Sequence, residues 1–158
     1  MRTTTDLYDD FEETSETCSV QFQDFGGRRR FFGRIRTVRC FHDNVLFRQL
    51  LNEPGAGCVI VVDGEGSTAR ALMGDVLAAR GHDNGWAGVV INGAIRDSAE
   101  IADIDIGVKA LGVNPAKSDK NGAGEVDVEL HIGGICFRPG DWVYCDEDGI
   151  LVSPDRIE

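Results

Sequence analysis

Apolar residues in this chain gather in short runs that fit strands more often than helices. From Phe31 to Cys40, Ile35 and Thr37 alternate with Arg34 and Arg36, the period of a strand with one buried face. Cys58-Val59-Ile60-Val61-Val62 and Trp86 to Ile91 are continuous apolar runs, which mark strands covered on both sides. Shorter strands are predicted at Thr68 to Met73 and near Gly107 to Leu111. The last third is almost wholly β. Val126 to Ile132 alternates, Pro139-Gly140 turns, Trp142 to Cys145 is a strand, and Asp148-Gly149 signals a hairpin into Ile150 to Val152. Helical signals are fewer. Asp43 caps a helix over Asn44 to Leu51 that Pro54-Gly55 stops. Asp75 caps a second over Val76 to Arg80, with Gly81 or Gly85 beyond its end, and Ser98 to Ala102 is a brief third. Gly64 and Gly66 form a loop, and Asn92-Gly93 reads as a turn. Residues 1–20 read as an acidic lead-in with one helical turn around Leu7 to Phe11. The sum is a single α/β domain over residues 1–158, with helices in the middle and a β-rich end.

Composition adds exclusions. The chain is 42% apolar, enough for a core, and carries 16 Lys+Arg against 27 Asp+Glu, a net charge of −11. That field repels phosphate, so direct nucleic-acid or anionic-membrane binding is not expected. No apolar run approaches the roughly 20 residues of a membrane span. Met1 to Thr14 is polar, without the hydrophobic stretch of a secretory signal, and a cytoplasmic protein is expected. Cys18, Cys40, Cys58, Cys136 and Cys145 are odd in number and lack a C-x-x-C pair, so they read as reduced thiols rather than a disulfide framework or zinc site.

Three stretches carry candidate chemistry. Gly64-Glu65-Gly66-Ser67-Thr68-Ala69 fits the dinucleotide fingerprint G-x-G-x-x-A. The next strand ends in Ile91-Asn92-Gly93, without the ribose-binding carboxylate, and Asp63 would repel a pyrophosphate. A turn without a nucleotide is the better reading. Arg28-Arg29-Arg30-Phe31-Phe32, with Arg34, Arg36 and Arg39, has the arginines and aromatics of an RNA-binding strand. At −11 overall, pairing with the chain's own carboxylates or across a subunit interface is favoured.

The third stretch is Gly74 to Glu100. One helix and one strand separate Asp75 from Arg96-Asp97, so the chain runs out and returns beside the helix start. Free amides there make an anion site. An arginine fork and carboxylates from Asp75, Asp97 and Glu100 can therefore converge on one pocket, at the strand ends where open α/β sheets bind ligands. Singly, each has a plain role: cap, surface ion pair, or dipole compensation.

The spacing Asp75-x20-Arg96-Asp97-x2-Glu100, with Gly74 before it and Gly93-Ala94-Ile95 before the arginine, resembles the RraA-like family. That family comprises regulators of ribonuclease activity and class II aldolases acting on 4-hydroxy-4-methyl-2-oxoglutarate. Phe25-Gly26-Gly27, Thr37-Val38-Arg39-Cys40-Phe41, Val61-Val62-Asp63-Gly64, Asp105-Ile106-Gly107, Gly122-Ala123-Gly124-Glu125, Gly133-Gly134 and Pro139-Gly140-Asp141 extend the similarity to all but the acidic lead-in.

The resemblance implies a swivelling β/β/α three-layer domain assembled as a homotrimer or a dimer of trimers, with sites between subunits. It implies Mg²⁺ or Mn²⁺ at Asp97, with Glu100 reaching the ion through a water. Arg96 would contact the keto oxygen of a small 2-oxo acid, and the Gly74-Asp75-Val76-Leu77 turn would take its carboxylate through the Val76 and Leu77 amides. Asp75 would orient or deprotonate a water. The expected activity is cleavage of 4-hydroxy-4-methyl-2-oxoglutarate to pyruvate and decarboxylation of oxaloacetate, both through a pyruvate enolate. The alternative is a non-catalytic regulator that binds and inhibits a ribonuclease. The regulatory branch lacks the aspartate that follows the arginine, and this chain has it. Longer aldolases carry a C-terminal extension reaching a neighbour's site, whereas this chain stops at Glu158, which favours decarboxylation over full aldol activity. A metal-free aldolase needs a Schiff-base lysine. Lys109, Lys117 and Lys120, the only lysines, all lie outside Gly74–Glu100, which points to a metal.

Overall fold

The continuous apolar runs form the centre of the sheet. The computed structural model describes residues 1–158. Its first half holds α1 (Thr4–Phe11), β1 (Glu16–Thr17), β2 (Gln23–Asp24), β3 (Phe31–Arg39), α2 (Val45–Leu51), β4 (Val59–Asp63), β5 (Ala71–Met73) and α3 (Asp75–Asp83). The second half holds β6 (Gly88–Ile95), α4 (Ser98–Ile101), β7 (Gly107–Val113), β8 (Glu125–Val126), β9 (Leu130–Ile132), β10 (Ile135–Phe137), β11 (Trp142–Asp146) and β12 (Gly149–Ser153). The large sheet runs β1-β12-β11-β3-β4-β6-β7-β2, with β5 beside β6 and β8 beside β3. Neighbours among β3, β4, β6 and β7 are parallel, as are β5 and β6. β9 and β10 form a separate antiparallel ribbon.

Alternation along the central strands sends side chains into two cores. Val38, Ile60, Val62, Val89 and Ile91 meet Phe47 and Leu51 of α2, Leu77 and Ala78 of α3, and Ile101 of α4. Ile35, Val59, Val61 and Val90 meet Leu130, Ile132 and Phe137 of the ribbon, together with Val143 and Val152. The result is the expected β/β/α arrangement of three layers. Gly88 and Gly107 are register partners beneath the Phe31 ring, which lies 2.4 Å and 2.1 Å from where their Cβ atoms would be. No larger residue fits there.

Several boundaries differ from the sequence reading. The acidic N-terminus holds two helical turns rather than one. The Thr3 hydroxyl caps α1 by accepting from Asp6 N at 3.1 Å, and Leu7 packs with Tyr144 and Leu151. Asp146 accepts from Thr4 N and Oγ1 at 2.6 and 2.7 Å. Asn92-Gly93 is no turn. It lies inside β6, where the pairing with β7 slips between Ile91 and Ala94, a bulge rather than a chain reversal. The alternating stretch Val126–Ile132 is not one strand either. Asp127 adopts φ 57° and its carboxylate grips the Arg36 guanidinium at two 2.8 Å contacts, which breaks β8 from β9. Only Ala71–Met73 of the predicted strand Thr68–Met73 pairs as a strand. The glycine loop after β4 therefore leads into a strand and offers no helix N-terminus. Four of the six arginines of the basic stretch pair within the chain, Arg28 with Asp105, Arg30 with Glu147, Arg36 with Asp127 and Glu53, and Arg39 with Glu125, while Arg34 lies over the Trp142 ring. All five cysteines are free thiols. No helix is long and apolar enough to cross a membrane.

Candidate active site

β5 and β6 run parallel, with Ala71 opposite Ala94 and Met73 opposite Ile95. The two strands therefore release Gly74 and Arg96 side by side at their C-terminal ends. Arg96 N donates to Met73 O at 2.9 Å, locking this junction. Twenty residues separate Asp75 from Arg96 because α3 and β6 are the out-and-back path between them.

The helix begins one residue earlier than its sequence suggests. Gly74 is the cap and Asp75 the first helical residue, so Asp75 is not the N-cap. The first helical hydrogen bond is Ala78 N to Gly74 O at 3.1 Å, leaving the amides of Asp75, Val76 and Leu77 without helical partners. Asp97 Oδ2 accepts from Asp75 N at 3.2 Å, and Asp75 Oδ1 accepts from its neighbour Val76 N at 2.8 Å. Asp97 is held in the left-handed region, φ 58° and ψ 41°, at the start of α4. Gly74 explains its own identity. A Cβ there would stand 2.6 Å from Asp97 Oδ2, so the carboxylate and any larger residue exclude each other.

These groups line one cavity of about 180 Å³, which holds Gly74, Asp75, Val76, Leu77, Arg96 and Asp97. It is smaller than the roughly 300–1,000 Å³ clefts that take drug-sized ligands, and it suits a compact acid. Glu100 does not line it. It borders the adjoining groove that shares Asp75, Val76 and Arg80 with the cavity wall.

Sequence spacing missed half of the wall. Arg48 of α2, Arg80 of α3, Lys117, Ser118 and Lys120 also face the cavity, as does Asn44. Five cationic side chains thus stand against two carboxylates, Asp75 and Asp97, in a chain of charge −11. Residues 115–122 arrive through long-range backbone contacts. Lys117 bridges Ala71, Asp119 bridges Asp43, and Ala71 N donates to Ala116 O at 2.7 Å. Asp43 accepts from Val45 N at 3.1 Å, Asn121 N at 2.6 Å and Gly122 N at 3.1 Å, tying this loop to the start of α2. Asp43 precedes the cap, which is Asn44. Burial opposes the charge on Asp43, but the amides of Val45, Asn121, Gly122 and Ala123 together hold its carboxyl below the usual range. Lys120 Nζ donates to Asn44 Oδ1 at 2.9 Å, and Arg96 Nη1 reaches Pro115 O at 3.4 Å.

The lysine reasoning from sequence is therefore corrected. Two of the three lysines are at the cavity, because a parallel bridge carries them there from outside the Gly74–Glu100 stretch. Both are solvent-exposed, so neither has the desolvation that activates a Schiff-base lysine, although each shares the wall with other cations.

The chain matches the RraA-like family, Aldolase/RraA, over residues 4–152, which takes in most of the acidic lead-in. It is 48% identical to the RNA-processing inhibitor RraA from Thermus thermophilis, with a TM-score of 0.96 over 100% of this chain and 96% of that one. It is 47% identical to a Geobacillus kaustophilus HTA426 protein described as S-adenosylmethionine:2-dimethylmenaquinone methyltransferase, with a TM-score of 0.97 over 99% and 97%. Streptomyces coelicolor RraAS2, described as an unusual member of the RNase ES inhibitor RraA protein family, is 25% identical, with a TM-score of 0.79 over 97% and 80%. With the match spanning residues 4–152 and two solved structures sharing nearly half their residues end to end, the chain belongs to the RraA-like family, whose members are ribonuclease inhibitors or aldolases.

Proposed function

We propose that the chain is a divalent-metal-dependent lyase that decarboxylates oxaloacetate and cleaves 4-hydroxy-4-methyl-2-oxoglutarate to pyruvate. One observation carries this reading: the Arg96 guanidinium, the Asp97 carboxylate and the Val76 and Leu77 amides, neither of which has a helical partner, share one small cavity. A 2-oxo acid presents a carboxylate and a keto oxygen on adjacent carbons. The helix start suits the first and a planar guanidinium the second.

The donor set fits Mg²⁺ or Mn²⁺. The nearby ligands are hard carboxylate oxygens, sparse in number, as magnesium sites commonly are. Asp97 would hold the ion and Glu100, from the adjoining groove, would support it through a water. When bound, such an ion withdraws charge from the keto oxygen, an effect of several kcal/mol. The residues of the chain do the rest. Val76 and Leu77 amides take the substrate carboxylate, which has to displace Asp75 Oδ1 from Val76 N. Asp75 is thereby freed to orient a water or accept its proton. Arg96 stabilises negative charge on the enolate oxygen as the C–C bond breaks. Cleavage of the hydroxy acid also passes its 4-hydroxyl proton to Asp75 or the water it orients, so that an oxo acid leaves; loss of CO₂ needs no such transfer, and in both cases a solvent proton on the enolate carbon completes pyruvate. The surplus cations Arg48, Arg80, Lys117 and Lys120 suit the second carboxylate of either substrate.

The test is pyruvate release in a coupled assay. Turnover that needs Mg²⁺ or Mn²⁺ and stops with EDTA supports the reading. A lysine adduct trapped by borohydride with substrate would replace it with Schiff-base chemistry at Lys117 or Lys120.

A second reading is supported by the 48% identity to the Thermus RNA-processing inhibitor. The chain would mask a ribonuclease by binding a basic surface through its own acidic one. That association would weaken with salt and be indifferent to Asp97→Ala. Either reading suits a cytoplasmic homotrimer or dimer of trimers. Five free thiols fit a reducing compartment, and the exposed apolar Phe41 and Val113 offer contact surface between copies.

A further inference from the structure

The β9–β10 ribbon holds three metal-binding side chain types that no short sequence motif announces. His131 and Cys136 are direct register partners across the ribbon, and Glu129 stands two residues before His131. Leu130, Ile132, Ile135 and Phe137 of the same ribbon pack into the core. Strand alternation thus sets Glu129 and His131 on the opposite, outer side. The carboxylate oxygen, the imidazole nitrogen and the thiol sulfur all lie within 4.8 Å of one another, with Cys136 Sγ 3.8 Å from Glu129 Oε2. Tetrahedral zinc with bonds of about 2.0–2.3 Å sets its ligand atoms roughly 3.3–3.8 Å apart, so side-chain adjustments of about 1 Å close the shell.

A second feature favours a cation here. Glu129, Asp141 and Asp155 form an acidic neighbourhood in which Arg138 is the compensating cation, with Nε 3.3 Å from Glu129 Oε1. Burial pushes the Asp141 carboxyl up, and Glu129 and Asp155 push it further against the pull of Arg138. The carboxylates outnumber their partner.

We propose that Glu129, His131 and Cys136 form a binding site for a borderline divalent transition metal of the zinc type, with three protein ligands and a fourth position open to water. A mixed O, N and S donor set selects such an ion over magnesium. The site is chemically distinct from the all-oxygen carboxylates of the cavity, and the inference stands independently of the proposed lyase activity. On binding, the Cys136 S–H bond breaks, its electron pair goes to the metal and the proton is released to solvent.

Co²⁺ is the probe. Titrated into the reduced full chain in excess Mg²⁺, which occupies the carboxylates of the cavity, it should give thiolate-to-cobalt charge-transfer absorption and the visible bands of four-coordination, saturating at one ion per chain. Zn²⁺ should bleach both, and further Mg²⁺ or Asp97→Ala should leave them unchanged. Cys136→Ser should abolish the charge-transfer band. His131→Ala and Glu129→Gln, at exposed positions that leave the core intact, should each weaken Co²⁺ binding at least tenfold. Absence of the band in the wild type, its persistence in Cys136→Ser, or unchanged affinity in His131→Ala would each overturn the assignment.

Discussion

Gly74 and Asp97 are fitted to each other atom by atom, and the cavity depends on that fit. A Cβ on Gly74 would lie 2.6 Å from Asp97 Oδ2. Gly74→Ala should therefore leave the fold standing but push the carboxylate off Asp75 N. A fall in kcat/KM of about tenfold or more is expected, equivalent to about 1.4 kcal/mol of transition-state stabilisation. Steady-state kinetics with a thermal melt separates that loss from unfolding. Arg96→Lys keeps the charge and removes the planar fork, so kcat should drop on the order of 10²-fold with a smaller change in KM. At this scale the sequence was informative. Gly74, Asp75, Val76, Leu77, Arg96 and Asp97 are grouped by one helix–strand return, which spacing alone can trace. Glu100 has the spacing of the resemblance but borders the adjoining groove rather than the cavity.

Among the elements, the loop 115–122 was the least legible and adds the most. It has no periodicity, and its placement rests on long-range contacts: the bridges to Ala71 and Asp43, and the Asp43 carboxylate on the amides of Asn121 and Gly122. No local rule predicts such contacts, and the lysines were misplaced for that reason. The alternating stretch Val126–Ile132 failed for a related cause, since pattern alone does not register a left-handed Asp127 bound to Arg36. The loop anchor has a pH consequence. The Asp43 carboxyl lies below its ordinary value in the folded chain. Its contribution is complete above the unfolded pKa of about 3.9 and is lost as pH falls through the lower folded value. Asp43→Asn should reduce stability at neutral pH by about 1–3 kcal/mol, the cost of disrupting a charged hydrogen-bond acceptor. It should also flatten the acid limb of the stability–pH curve. Denaturant unfolding between pH 3 and 7 checks both.

The whole molecule is acidic, yet its cavity is ringed by cations, so on the proposed lyase reading substrate capture would rest on the local field. Raising ionic strength should increase KM for oxaloacetate several-fold while kcat changes little, because screening acts on encounter more than on groups already in contact. One buried pair holds distant parts of the sheet together. Lys109, 2% exposed, has its ammonium 2.9 Å from Asp24 Oδ1 and donates to Asp146 O at 2.7 Å, joining β7 to β2 and β11. Lys109→Met leaves Asp24 without its counter-charge and should cost about 3–5 kcal/mol in equilibrium unfolding. The α/β class was readable from continuous and alternating apolar runs and the three-layer arrangement only through the family resemblance, whereas this cross-sheet clamp joins residues too distant in sequence to be foreseen. The central claim is that Arg96, Asp97 and the start of α3 act together on a 2-oxo acid with a divalent ion. Initial rates of pyruvate release from oxaloacetate, measured for wild type and Asp97→Ala with and without Mg²⁺, test it most directly. The account predicts that only the wild type with Mg²⁺ turns over above the solution background while both proteins stay folded; equal rates in Asp97→Ala, or in wild type with EDTA, would contradict it.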